Sequence, residues 1–264
     1  MTATFPIQVR FLGGLTLRQQ AAFEIAATRW SSIITSNLPR VNISGEILEG
    51  LVIDAQGVQI DGPQNILGQA GPRFLRPVSR LPVSGIMQFD TADLFRLESD
   101  GSLLDVIVHE MGHVIGIGTL WDLFGLIQGI ASANPVFIGR NAMQEFASLI
   151  NVVDSVPVPV ENTGGAGTRG GHWRESVFGN ELMTGFLGDR GNPLSRLTIA
   201  SLADLGYQVD ISEAESYELP TMLQLAIMGI GGTEGHYQRC AMCGYRVRGT
   251  EPVILPETVL VEGG

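Results

Sequence analysis

The sequence predicts an α+β fold, and three observations carry that expectation. Residues 6–12 alternate Ile7, Val9 and Phe11 with polar neighbours, which is the two-residue period of a strand. Residues 16–34 switch to a helical period, with Thr16 as N-cap and Phe23, Ala26, Ala27, Trp30 and Ile34 on one face. A second apolar helix, rich in Leu103, Leu104, Val106, Ile107 and Val108, starts behind Ser102 and Asp105 in capping-box spacing and ends at Gly116.

The remaining elements follow in order. Residues 43–60 read as a pair of short strands broken by a turn at Ala55-Gln56-Gly57, and residues 62–82, rich in Pro and Gly, as a loop. Residues 84–89 are a further strand. Residues 117–171 form a long insertion with one helix at 141–150, whose tail ENTGGAGTRGGHW is too glycine-rich to be regular. The turn ELMTG then leads to a helix at 195–205, stopped by Gly206. Residues 213–228 are expected to be helical. There is no internal repeat.

Composition narrows the function classes. The chain has 264 residues and is 44% hydrophobic, enough for a substantial core in one large domain or two lobes. Thirty-four glycines and 13 prolines point to many turns. A net charge of −11 argues against nucleic acid, whose phosphates require clustered Lys and Arg. No apolar run is long enough to span a membrane. The opening MTATFPIQVRFLGG lacks the basic and apolar regions of a signal peptide. With only Cys240 and Cys243, the fold is not a disulfide-stapled scaffold.

The chemistry sits on the second helix as His109-Glu110-Met111-Gly112-His113, an HExxH motif. Four residues make slightly more than one turn, so both imidazoles project from one face and can share an ion, with Glu110 beside it. Zinc suits neutral imidazole, and a catalytic zinc keeps three protein ligands and a water. Glu110 is the candidate general base for that water, which attacks a carbonyl. The motif also arises by chance, and a histidine on a core helix is often structural. The capped apolar helix, and a chain with four histidines of which two fall here, favour the metal reading.

The motif continues through Gly116, but Thr119 stands where the longer metzincin pattern HExxHxxGxxH has its third histidine. Downstream, GGAGTRGGHWRESVFGNELMTG and SRLTIASLADLGY resemble the leishmanolysin family of metzincin zinc metallopeptidases, in which an insertion separates the glycine from the third ligand. The resemblance covers residues 103–118 and 161–207. It implies that His172 is the third zinc ligand and that Met183 lies beneath the metal as the Met-turn. It also implies a metzincin-like architecture: an N-terminal lobe at 1–116 with a mixed sheet and the HExxH helix, and an irregular C-terminal lobe at 117–210 with the Met-turn and a helix. Residues 211–264 are an extension. The implied activity is that of a zinc endopeptidase with one catalytic Zn²⁺, acting on peptide or protein, and the implied setting is extracellular. The strand at 84–89 has two readings, a substrate-pairing sheet edge or an internal strand. The oligomeric state is not readable.

Two rival functions remain at this level, a zinc-bearing pseudoenzyme and a hydrolase of non-peptide amides. The tail residues His236, Cys240 and Cys243 have metal-ligand spacing but lack a fourth ligand. They read as a disulfide or free thiols, as a second metal site, or as a latency device in which one thiolate reaches the catalytic zinc.

Overall fold

A computed structural model describes residues 5–63, 65–165, 167–186, 191–228, 230 and 251–261. The elements run β1 (Ile7–Gly13), α1 (Leu17–Ile33), β2 (Val41–Ile43), β3 (Glu46–Leu48), β4 (Leu51–Val58), β5 (Gly68–Leu75), β6 (Pro82–Asp90), α2 (Leu94–Asp100) and α3 (Leu103–Ile115). There follow β7 (Ile127–Gln128), β8 (Val136–Phe137), α4 (Arg140–Leu149), β9 (Val158–Pro159), α5 (Glu175–Phe178), α6 (Arg196–Leu205), α7 (Met222–Ile227) and β10 (Val253–Ile254). The α+β class is as expected: one mixed sheet ordered β1-β4-β6-β5-β10, smaller sheets β2-β3 and β7-β8-β9, and helices around them. Strands β1, β4 and β6 are parallel neighbours, β5 runs antiparallel to β6, and β10 lies parallel on β5.

The first helix forms for the reason its sequence gives. Thr16 Oγ1 accepts from Gln19 N at 3.2 Å while Gln19 Oε1 accepts from Thr16 N at 2.9 Å, closing a reciprocal cap. Its buried stripe of Phe23, Ala26, Ala27 and Trp30 faces the core. Helix α3 packs on α1, β5 and β6, and Trp30 Nε1 donates to Val108 O at 3.0 Å across the α1–α3 contact. One continuous apolar cluster reaches from Phe5 through α3 to Trp173, Met183 and Tyr207.

Several expectations are corrected. Residues Ala55-Gln56-Gly57 are not a turn but part of β4. Gly57 is there because the Gly14 backbone comes so close that a Cβ would lie 2.2 Å from Gly14 O. The turn in this region is at Ser44 and Gly45, both with positive φ. Residues 62–82 contain strand β5, whose Gly71 and Pro72 suit an outer strand. The strand predicted at 84–89 is β6, which is internal between β4 and β5. Ser102 does not cap α3: its hydroxyl turns back to Asp100 Oδ1 at 2.5 Å, and Asp105 Oδ2 accepts from Asn192. The helix expected over residues 213–228 is confined to α7, preceded by a 3₁₀ turn at Ile211–Glu213. The helices at 141–150 and 195–205 lie within a residue of their predicted bounds. Among the described residues, no helix is long and apolar enough to cross a membrane.

Candidate metal centre

The four-residue spacing of α3 sets His109 and His113 on one face, and both are fully buried. Gly116 ends the helix with φ 128°, a conformation that disfavours a Cβ. The chain then folds back so that Ile117 O meets His113 Nδ1 at 2.8 Å. Thr119, which stands in for a histidine in the motif, donates its hydroxyl to His113 O at 2.7 Å and so ties off the helix end.

Two glycines bring in the third imidazole. Gly118, at φ 75°, packs so closely on Gly171 that a Cβ would lie 2.0 Å from Gly171 O. His172 follows at once and reaches the helix with Nε2 3.1 Å from His113 Nε2 and 3.3 Å from His109 Nε2, while the helical pair stand 3.0 Å apart. Among the described residues, these three form the one cluster of His, Cys, Asp or Glu with donor atoms close enough to hold a metal.

Each imidazole is oriented from behind. Nδ1 of His109 meets Leu182 O at 2.7 Å, Nδ1 of His113 meets Ile117 O, and Nδ1 of His172 meets Thr168 O at 2.8 Å. A carbonyl only accepts, so each Nδ1 carries the proton and each Nε2 presents a bare lone pair to the other two. Burial and neighbouring His172 lower the His109 pKa to about 3, against the Leu182 carbonyl. Burial lowers His172 to about 4, opposed by Thr168 O and Glu161, and burial with the other two rings puts His113 well below the usual value. Three neutral rings with converging lone pairs repel one another unless a cation lies between them. Nitrogens roughly 2.1 Å from a tetrahedral zinc stand about 3.4 Å apart, close to the spacing here, so the donor set fits that ion.

Glu110 is fully buried beside this cluster, and its two carboxylate oxygens have no hydrogen-bond partner among the described residues. Burial raises its pKa well above the usual carboxylate range. Room for the side chain comes from Gly68 of β5, where a Cβ would sit 3.2 Å from Glu110 Cγ. Met183 is buried under α3, its sulfur 3.1 Å from where a Cβ on Gly112 would be. His236, Cys240 and Cys243 lie outside the described residues.

Two buried glutamates near the site escape a reading of the sequence. Glu161 Oε1 accepts from Asn162 N, Thr163 N and Thr163 Oγ1, and Oε2 accepts from Glu175 N. Glu181 caps the turn around Met183 and the start of α6. Nothing in their flanking residues marks them as interior, since glutamate beside Gly, Asn or Thr reads as a solvated loop.

The family described as leishmanolysin matches residues 72–223. A leishmanolysin homologue of Crithidia fasciculata is 24% identical over 143 residues, which cover 51% of this chain and 21% of that protein. The chain thus matches about a fifth of that relative's length.

Proposed function

The chain belongs to the leishmanolysin family, and from that premise we propose that it is a zinc-dependent endopeptidase in which His109, His113 and His172 hold the metal and Glu110 is the general base. The observation that carries this reading is the set of three neutral Nε2 lone pairs within 3.3 Å of one another, with an unpartnered buried carboxylate alongside. A bound zinc would supply a Lewis acid for the scissile carbonyl and acidify the attacking water.

The protein's own groups do the rest. A carboxylate oxygen of Glu110 takes the proton from the water as its oxygen bonds to the carbonyl carbon, and returns it to the amine nitrogen as the C–N bond breaks. The Nδ1 contacts to Leu182, Ile117 and Thr168 carbonyls hold the rings in the tautomer that turns the Nε2 lone pairs toward one shared position. Met183 fills the floor of the site as its Met-turn. The substrate enters between the segments 1–116 and 117–210. It pairs with the outer edge of β5, which among the described residues carries no strand from Gly68 to Arg73, while β10 covers only Phe74 and Leu75. An extended peptide laid there by main-chain hydrogen bonds passes the Gly68 end, against Glu110.

The test is cleavage of an unfolded protein alongside a zinc count. The expected result is about one zinc per chain, chelator-sensitive cleavage, and a Glu110→Ala variant that keeps its zinc but loses activity by about 10²- to 10⁴-fold. Cleavage that survives in Glu110→Ala removes that residue from its role, and bound zinc with no cleavage of any peptide returns the pseudoenzyme reading.

A further inference from the structure

Glu181 is fully buried, and among the described residues no Lys or Arg forms an ion pair with it. A bare carboxylate in such a place is costly unless its lone pairs are satisfied. They are. Oε1 accepts from Ser195 N at 3.1 Å, Ser195 Oγ at 2.6 Å and Thr198 Oγ1 at 2.5 Å, and Oε2 accepts from Met183 N at 2.6 Å. Ser195 is the N-cap of α6, so the carboxylate also lies at the positive end of that helix.

The donors lead back to the histidine cluster by two routes. One is the turn itself: with Met183 N held on Oε2, the adjoining Leu182 carbonyl faces His109 Nδ1 at 2.7 Å, and Met183 O receives Trp173 N at 3.0 Å. The other is a relay in which Trp173 Nε1 donates to Thr198 Oγ1 at 2.8 Å and Thr198 donates onward to Glu181. Trp173 adjoins His172. One carboxylate therefore joins the partner of His109, the seat of Met183 and the backbone behind His172.

We propose that Glu181 is a positioning residue for the three-histidine centre, fixing the Leu182 carbonyl against His109 and the 172–173 backbone against the Met183 turn. This rests on the metal-site reading above, and it acts through the imidazoles rather than by touching metal or substrate. Replacing the carboxylate lets the Leu182 carbonyl swing and loosens the tautomer and direction of His109. Outer contacts of this kind are worth about 10- to 100-fold in metal affinity.

The experiment uses the full chain with Glu181→Ala, Glu181→Gln and Thr198→Val. Three readouts are taken: the zinc dissociation constant by competition with a chromophoric chelator, the ¹⁵N-detected Nδ1–H signal of His109 in the metal-free protein, and the thermal midpoint. Glu181→Ala is expected to weaken zinc about 10- to 100-fold and to broaden the His109 signal by exchange. Glu181→Gln keeps the shape but sets an NH₂ against Met183 N–H or the Ser195 and Thr198 donors, so it falls between Ala and wild type. Thr198→Val cuts the relay alone and has a smaller effect of the same sign. If Glu181→Ala does not fold, the other two variants decide. Variants that melt earlier yet keep wild-type zinc affinity and a sharp His109 signal overturn the proposal, because the residue is then merely structural. If the wild-type protein takes up no zinc, the metal reading fails on its own, and the His109 signal in the metal-free variants still decides the positioning claim.

Discussion

His109 and His113 are brought together by one turn of α3, whereas His172 reaches them from 59 residues further along the chain. The helical half is held by burial: Val106, Ile107, Met111 and Val114 are fully inaccessible, and the α3 backbone satisfies itself. The loop half has little regular structure. It is held by the Gly118–Gly171 contact, by Glu161 gathering the N–H groups of residues 162, 163 and 175, and by Glu181 gathering those of 183 and 195. A site with two of its three donors on a helix and the third on a loop needs that second scaffold to be nearly as rigid as the first, and buried carboxylates do for the loop what the helical ladder does for α3.

The difference can be broken open by removing one donor from each side. An apparent zinc affinity of about 10–16 kcal/mol in zinc-finger sites with four protein ligands gives roughly 3 kcal/mol per ligand, so His113→Ala and His172→Ala should each weaken zinc by more than about a hundredfold. The two variants should part in hydrogen exchange of the metal-free protein. His172→Ala cuts the contact to Thr168 O and should speed exchange through residues 161–172, while His113→Ala should leave the amides of residues 106–112 protected. Undiminished zinc binding in His172→Ala would remove it from the ligand set. Equal exchange in both would mean that the loop does not depend on its histidine.

Gly118→Ala tests the backbone contact directly. The new Cβ would lie 2.0 Å from Gly171 O at a φ of 75°, and neither backbone atom can yield cheaply. A loss of about 2–4 kcal/mol in urea denaturation is expected, with weaker zinc binding because His172 is displaced. A variant of unchanged stability would show that the 118–171 approach is not what sets the loop.

The same contrast explains what the sequence makes legible. His109, Glu110 and His113 stand out because a helix converts spacing into proximity, and Gly116 marks where that helix must end. The place of His172 follows only from the likeness of the string around it to a family, because glycines at 164, 165, 170 and 171 permit many paths and select none. Glu161 and Glu181 are silent, since what makes them interior is a set of donors up to 17 residues away. Strand β5 is hidden for a related reason: Gly71 and Pro72 look like loop residues, and they are tolerated there because that stretch of β5 pairs with β6 on one side only, β10 reaching no further than Phe74 and Leu75 on the other. The short sheet β7-β8-β9 has strands of two residues, too brief for any alternation to appear.

The smallest expected effect lies where the two halves meet, at Gly112 in the middle of α3. Alanine there gains up to about 1 kcal/mol in helix propensity. Against this, its Cβ would lie 3.1 Å from Met183 Sδ, 3.3 Å from Met183 Cε and 3.3 Å from Trp30 Cζ2. Trp30 is anchored through its indole N–H to Val108 O, so the methionine is the side that must give. Its thioether has the rotatable bonds to do so, and Gly112→Ala should change unfolding free energy by less than about 1 kcal/mol in either direction. The displaced Met183 pulls on the turn whose Leu182 carbonyl orients His109, so zinc affinity should fall a few-fold while stability hardly moves. A stability gain of the full 1 kcal/mol or so with unaltered zinc affinity would mean that Met183 sits loosely under the helix, and that the loop half is coupled to α3 through Leu182 alone.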